Sequence, residues 1–385
     1  MQPQRPKWAL ATLFLVDGTG FGLWAAHVPV FKQSLQLTTG TLSAVLFCLV
    51  GGAILSMPAT GHFISRHTSR SVVRVVAVLY VLTLASLAFA TSFPLLLLFA
   101  GIFGAAKGAF DVTINAQAIA VEHHFGRSSM SLLQGCWSVG GLVGAGASSL
   151  LLGHSKPLRF NLLLGSMVLA VAVVAVLPLL VNDRPKHTEA RPKFIFPDSY
   201  LLRLALIAFF GLFAEGAIGD WAAVYLHSHL QATLSVAAAG FAAYAVAMAT
   251  GRFLGDRLTR RFSDKTILRC SGLLIAIGFA CTLLSPILTV GLFGLVLTGV
   301  GVANIIPVIM TLAGRDTRMG AGPAISAVST IGYFGFLAGP PLIGSLAVLI
   351  GLRQALALVV LSGAIVALGP AILITRQRHA IQTPR

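Results

Sequence analysis

Long apolar runs, separated by short polar breaks, recur along nearly the whole chain. Each run can cross a bilayer, which takes about 20 helical residues. The breaks are marked by charged residues, proline or glycine. The pattern therefore predicts twelve membrane-spanning helices. They lie at 8–31, 42–62, 72–91, 94–121, 128–153, 159–181, 201–226, 234–254, 267–285, 287–312, 322–349 and 352–375.

The composition supports a membrane protein. Of the 385 residues, 56% are hydrophobic and 10% are charged, whereas soluble proteins carry about 25% charged residues. This balance excludes an ordinary soluble enzyme or a disordered regulator. Asp17 lies inside the first apolar run, so we expect that run to be a membrane helix and not a cleaved signal peptide.

The basic residues collect on one side of the predicted membrane. With both termini in the cytoplasm, 22 of the 27 Lys and Arg residues, Arg252 among them, fall on the cytoplasmic side. Four fall outside, and Lys107 lies within a span. This bias is the positive-inside pattern of plasma-membrane proteins. The net charge of +16 therefore indicates topology and contact with lipid headgroups, and we expect no nucleic-acid partner.

The longest polar stretch divides the chain into two predicted halves. We expect an N-terminal six-helix bundle at 1–181, a cytoplasmic linker at 182–199 and a C-terminal six-helix bundle at 200–385.

The two halves also repeat one another. GLWAA from Gly22 recurs as GDWAA from Gly219, and Lys107 of span four corresponds to Asn304 of span ten, both at an offset of 197 residues. Parallel repeats of this kind place a substrate site near the membrane midplane and expose it to alternate sides.

Several stretches resemble a known family. Six plus six spans, with glycine-led basic segments after spans two and eight, resemble the major facilitator superfamily. AEGAIGDW, GRFLGD, INAQAIAVE and IGYFGFLAGPPLIG are similar to its MosC/YbjJ-like bacterial inner-membrane subgroup. The resemblance implies an all-α fold of two pseudo-symmetric six-helix bundles. It also implies a monomeric secondary transporter whose cavity is lined by spans one, four, seven and ten. Sugars, polyols or amino-polyols are the substrates at which the subgroup hints.

The basic segments depart from the family pattern in the first half. Ser65 and Thr68 stand where the family carries Asp and Gly, whereas the second half keeps Gly251, Asp256 and Arg257. We therefore expect a charge latch around Gly251, Asp256 and Arg257. The alternative is that the basic residues of these segments only determine the membrane topology.

Five ionisable residues lie inside predicted spans. They are Asp17, Lys107, Asp111, Glu215 and Asp220. Each costs about 2.5–3.5 kcal/mol if it faces lipid, so we expect them to face a cavity or one another. All five fall on spans one, four and seven, which the resemblance assigns to the cavity.

Two of these acids are predicted near the midplane. Asp17 lies ten residues after Lys7, and Asp111 lies eleven residues before Glu122, which places both roughly 15 Å from the inner face. This arrangement resembles that of sugar–proton symporters of the fucose-permease type. We predict Asp17, Asp111 and Glu215 as proton-coupling residues; the alternative is a structural role in hydrogen bonding.

Lys107 and Asp111 are four residues apart and share one helix face. Three roles follow: a switch in which substrate or proton displaces the lysine, direct binding of an anionic group by Lys107, or a static bridge. Asp220 lies on another face from Glu215 and is a candidate for an outer gate.

Further polar and aromatic positions complete the predicted substrate cavity, with packing or membrane-interface placement as the alternative for each. The cavity candidates are Trp24, His27, Lys107, Asn115, Gln134, Trp137, Asn304 and Tyr333.

No nucleotide-binding or hydrolytic motif occurs in the sequence, so we expect no enzyme activity, cofactor or metal. The leading hypothesis is a proton-coupled transporter of a small polar solute. The alternative is a proton-driven exporter of amphipathic or cationic compounds, because the five intramembrane charges sum to −3 when all are ionised.

Overall fold

A computed structural model of the chain describes residues 5–37, 39–125, 129–154, 157–181, 197–232, 234–316 and 318–372. The regular structure of these residues is helical, with thirteen α-helices and two 3₁₀ turns, at Leu87–Phe89 and Leu177–Leu179. The α-helices are α1 (Arg5–Ser34), α2 (Thr39–Arg66), α3 (Ser69–Ser86), α4 (Phe93–Phe125), α5 (Met130–Gly153), α6 (Leu158–Val176), α7 (Ser199–His229), α8 (Leu234–Arg261), α9 (Asp264–Leu284), α10 (Leu288–Ala303), α11 (Ile305–Gly314), α12 (Ala321–Ile350) and α13 (Leu352–Ile372).

Eleven segments of the described chain are long and apolar enough to cross a membrane. The remaining long helix, α8, has 28 residues and carries Arg252, Asp256 and three further arginines in its last ten residues. The predicted all-α polytopic fold is confirmed. Some helices, such as α1 and α2, extend a few residues beyond the predicted spans, whereas others, such as α3 and α6, end before them.

Span ten is broken near its middle, which corrects the prediction of one continuous helix over 287–312. Helix α10 ends at Ala303, and Asn304 leaves the helical conformation, with φ −108° and ψ 4°. Pro307 explains the break, because it has no N–H to donate to the carbonyl of Ala303 and its ring crowds that turn. Helix α11 then completes the span.

The chain forms two compact units. The first unit comprises Met1–Ile195 and Gly314–Thr330, and the second comprises Phe196–Ala313 and Ile331–Arg385. Inside the first unit, Ser326 Oγ at the start of α12 donates to the carbonyl of Met57 at 2.6 Å. The predicted linker at 182–199 stays a prediction, since residues 182–196 lie outside the described chain.

Glycines allow very close helix packing in the first unit. Helix α1 packs against α5, and α2 packs against α4. A Cβ atom at Gly18 would meet the carbonyl of Trp137, and one at Gly104 would meet the carbonyl of Leu49. Small residues in such positions let helix backbones approach within a membrane. The glycines thus bring α1 close to α5 and α4 close to α2.

The second unit uses the same device. Helix α9 packs against α10 and α13, α8 packs against α10, and α7 packs against α13. Gly278 and Gly294 bring α9 and α10 together, because a Cβ on either would meet the backbone oxygen of the other. Helix α10, which leads to Asn304, is therefore held close to α9, and it also packs on α8, which carries Arg252.

Two glycines of α5 allow a matched test of this packing. A Cβ at Gly144 would meet the backbone oxygen of Thr19, whereas a Cβ at Gly146 would meet nothing within 4 Å. We expect Gly144→Ala to lower the free energy of unfolding by about 1–3 kcal/mol, because α1 must move away. Gly146→Ala is the control and should leave stability unchanged or slightly higher. The measurement is the Tm of each variant in detergent, and equal Tm values for the two variants would contradict this account.

Candidate functional site

Three charged side chains meet inside the first unit. Lys107 Nζ on α4 lies 3.0 Å from Asp17 Oδ2 on α1 and 3.8 Å from Asp111 Oδ1, one turn further along α4. The side chains of Asp17 and Lys107 are 0% and 4% exposed, and that of Asp111 is 18% exposed. Two carboxylates thus share one ammonium, so the cluster carries a net charge of −1 when all three are ionised.

The surrounding helices fix Asp17 in place. Tyr80 Oη on α3 donates to the backbone oxygen of Asp17 at 2.7 Å. On α5, the ring centroid of Trp137 lies 5.7 Å from Lys107 Nζ. The predicted cavity residue Trp137 is therefore part of this cluster, with its ring beside the ammonium group.

A chain of amides and hydroxyls continues from Asp111. Asn115 Nδ2 donates to the backbone oxygen of Asp111 at 2.8 Å, and Gln134 Nε2 donates to Asn115 Oδ1 at 3.2 Å. Ser138 Oγ donates to the backbone oxygen of Gln134 at 3.3 Å. The structure thus connects Asp17, Lys107, Asp111 and two further predicted residues through neighbouring contacts.

A second charge pair lies in the second unit. Arg252 on α8 is 3% exposed, and its Nη2 lies 3.5 Å from Glu215 Oε1 on α7. Arg252 Nε donates to the carbonyl of Ala303 at 3.4 Å, and Asn304 Nδ2 donates to the carbonyl of Gly251 at 3.0 Å. Glu215 and Asn304, both predicted site residues, are thus connected through α8.

Arg252 was missed as a site residue, because it was counted only among the basic residues that indicate topology. The side chain is buried in the unit and pairs with an intramembrane acid. The signal was present in the sequence, because the predicted eighth span runs to residue 254 and so contains Arg252.

Two predicted cavity residues are packed inside the first unit. Trp24 is 3% exposed, and its ring centroid lies 6.0 Å from that of Phe31 and 6.3 Å from that of Phe103. His27 is fully buried, with Nδ1 2.7 Å from the carbonyl of Leu23. Their surroundings favour the packing alternative for both residues.

The remaining predicted residues differ in burial. Tyr333 on α12 is half-buried, and Asp220 near the end of α7 is exposed. Asp256 is 8% exposed, whereas its neighbour Arg257 is exposed. The gate and latch roles of Asp220, Asp256 and Arg257 stay predictions; Gly251 accepts the hydrogen bond from Asn304. No group of three His, Cys, Asp or Glu in the described residues could hold a metal ion.

The fold and the buried charges define a class of protein: a multi-pass helical membrane protein with two clusters of intramembrane charge. The sequence pattern of the Major Facilitator Superfamily matches residues 9–227 and 204–385. The chain therefore belongs to the Major Facilitator Superfamily of transporters.

Relatives extend over nearly the whole chain. It is 34% identical to an uncharacterized MFS-type transporter of Yersinia pestis, over 90% of both proteins. It is 31% identical to the membrane protein MosC of Rhizobium meliloti, over 93% of this chain and 88% of MosC. The predicted resemblance to MosC-like bacterial proteins is confirmed.

Solved transporters share the fold. FucP in its outward conformation has a TM-score of 0.82 at 18% identity, over 96% of this chain and 98% of FucP. The human organic anion transporter MFSD10 has a TM-score of 0.75 at 18% identity, over 97% of this chain and 100% of that one.

The Asp17–Lys107 pair generates a prediction about stability. Lys107→Met should lower the free energy of unfolding by about 3–5 kcal/mol, because it leaves a fully buried carboxylate without its counter-ion. Adding Asp17→Asn should recover most of that loss, since both charges are then gone. Lys32→Met, at the exposed end of α1, is the control. Equal thermal unfolding of the single and double variants would show that the pair does not hold α1 against α4.

Proposed function

We propose that the protein is a proton-coupled secondary transporter of a small polar solute of the sugar, polyol or amino-polyol type, working by alternating access. We also propose that it acts as a monomer in the bacterial inner membrane, with both termini in the cytoplasm. The observation that carries the proposal is the sharing of Lys107 between a fully buried Asp17 and a partly exposed Asp111.

This arrangement supports proton exchange. One ammonium cannot balance two carboxylates, so the cluster can take up one proton without leaving its lysine unpaired. A proton on one carboxylate would let Lys107 pair with the other alone, and loss of that proton would draw the lysine back between them. Coupling of this step to alternating exposure would drive solute movement. FucP, which shares the fold, is described as a fucose:proton symporter.

The neighbouring side chains support a polar solute. Asn115, Gln134 and Ser138 bring amide and hydroxyl groups beside the charge cluster, and such groups recognise hydroxylated molecules by hydrogen bonding. Trp137 adds a ring face on which a sugar or polyol ring can stack. The net charge of −1 also suits a cation, which keeps an exporter of cationic compounds as the second candidate.

A ligand panel tests the proposal. Purified protein in detergent is heated with myo-inositol, glucose, glucosamine or the hydrophobic cation tetraphenylphosphonium, each at pH 5.5 and 7.5. A ligand at 100 times its Kd stabilises a protein by about 2.7 kcal/mol. We expect stabilisation by a polar solute, with a pH dependence that disappears in Asp17→Asn and Asp111→Asn.

Asp264→Asn, at the start of α9, controls for the loss of a carboxylate as such and should behave as wild type. Stabilisation by tetraphenylphosphonium alone, unchanged in Asp17→Asn and Asp111→Asn, would replace the symporter with the exporter.

A further inference from the structure

Arg252 joins three helices of the second unit. Its guanidinium contacts Glu215 Oε1 on α7 at 3.5 Å through Nη2 and the carbonyl of Ala303 on α10 at 3.4 Å through Nε. Arginine stays protonated in proteins and presents its donors in a fixed plane. A permanent cation therefore lies between these three helices, with one donor directed to an acid and another to a backbone oxygen.

The backbone oxygen is available because span ten is broken. In a continuous helix the carbonyl of Ala303 would accept from the N–H of residue 307. Residue 307 is proline and has none. Arg252 therefore supplies the donor that the helix itself lacks at this point.

Polar atoms beside Arg252 have no partner. Glu215 Oε2 and Asn304 Oδ1 are both buried without a hydrogen bond. The amide of Asn304 is oriented by its donation to the carbonyl of Gly251, so its oxygen is directed away from that contact. Tyr244 Oη, two turns before Arg252 on α8, is also buried without a partner and interacts electrostatically with Glu215 and Arg252.

We propose that Arg252 is a positioning residue for a donor-binding site in the second unit, in which Glu215 Oε2 and Asn304 Oδ1 take hydroxyl or ammonium groups of the transported solute. The solute part of this inference rests on the proposed function. Both atoms can only accept hydrogen bonds, and burial of an unpaired acceptor is costly, so a donor group that reaches them is favoured.

Arg252 also supplies the counter-ion of Glu215. Without it, a buried carboxylate is expected to take up a proton. In this proposal Glu215, paired with Arg252, binds solute, and the cluster around Asp17 exchanges the proton.

The backbone role of Arg252 is tested by a double-mutant cycle of R252Q and P307A. P307A restores an N–H that can donate to the carbonyl of Ala303. We expect R252Q to lower the Tm and P307A to recover part of that loss, so that the two effects are not additive. Strict additivity would overturn this role.

The charge role is tested by infrared spectroscopy of the carboxyl C=O stretch at pH 7.5. We expect a new band from a protonated carboxyl in R252Q, absent from R252K and from the double variant E215Q/R252Q. No new band in R252Q would show that Glu215 does not depend on Arg252 for its charge, and would overturn the proposal. A merely structural arginine would change stability without this band.

Solute binding is tested with two donor-rich probes, myo-inositol and glucosamine. The concentration dependence of the Tm shift gives an apparent Kd for each probe. We expect this Kd to be at least tenfold higher in E215Q and N304A than in wild type. Q354A, on the exposed face of α13, is the control and should keep the shift. A shift that survives in both variants overturns this site and leaves the proposed function standing. If neither probe shifts the Tm of wild type, the solute class is wrong both in the proposed function and in this site. The infrared band and the double-mutant cycle then still decide the role of Arg252.

Discussion

The contact between Lys107 and Asp17 is the constraint on which the first unit depends. Neither charge can lie alone at this depth, because an unpaired ion in a low-dielectric interior costs several kcal/mol. A separation of 3.0 Å requires α1 and α4 to run side by side at this level. Each of these helices also packs closely on another neighbour, since a Cβ at Gly18 would meet the backbone of α5 and a Cβ at Gly104 would meet that of α2. The ion pair therefore joins the packed helix pairs α1–α5 and α2–α4.

The second unit meets the same requirement with different residues. Glu215 lies 198 positions after Asp17, and Asn304 lies 197 positions after Lys107. The acid is therefore repeated to within one residue, but the lysine is replaced by a neutral amide. Arg252, from the second helix of its unit, supplies the cation instead. The repeat is retained in the backbone and in the acid, whereas the counter-ion has changed helix.

The spans and the intramembrane charges can be predicted from the sequence, because both depend on the free-energy cost of placing a short segment or a single charge in lipid. An apolar run of sufficient length must be a membrane helix, and a charge within it must be shielded. The contact of Lys107 with Asp111 follows from their spacing of four residues. The shorter contact of Lys107 with Asp17 does not follow from spacing. The two residues are 90 positions apart in sequence, and their distance depends on how closely α1 and α4 pack. The break at Asn304 could have been predicted from Pro307.

Aromatic residues were harder to place. Seven residues separate Asp17 from Trp24, which correctly puts both on the inward face of α1, and both are buried. Helical period, however, does not distinguish an aromatic core from a solute cavity. Trp24 meets Phe31 and Phe103, whereas Trp137 meets Lys107. The neighbours that decide such a role come from other helices, and periodicity within one helix does not report them.

The different counter-ions give the two units different responses to a proton. In the first unit two carboxylates share one ammonium, so neutralising one of them still leaves Lys107 paired. In the second unit, neutralising Glu215 would remove the carboxylate that balances Arg252. Arginine cannot release its own proton in compensation. The proposed function therefore assigns proton exchange to the first unit and gives the second a fixed charge that orients the solute. A duplicated bundle that has moved one cation from the fourth helix to the second can in this way divide coupling and recognition between its two halves.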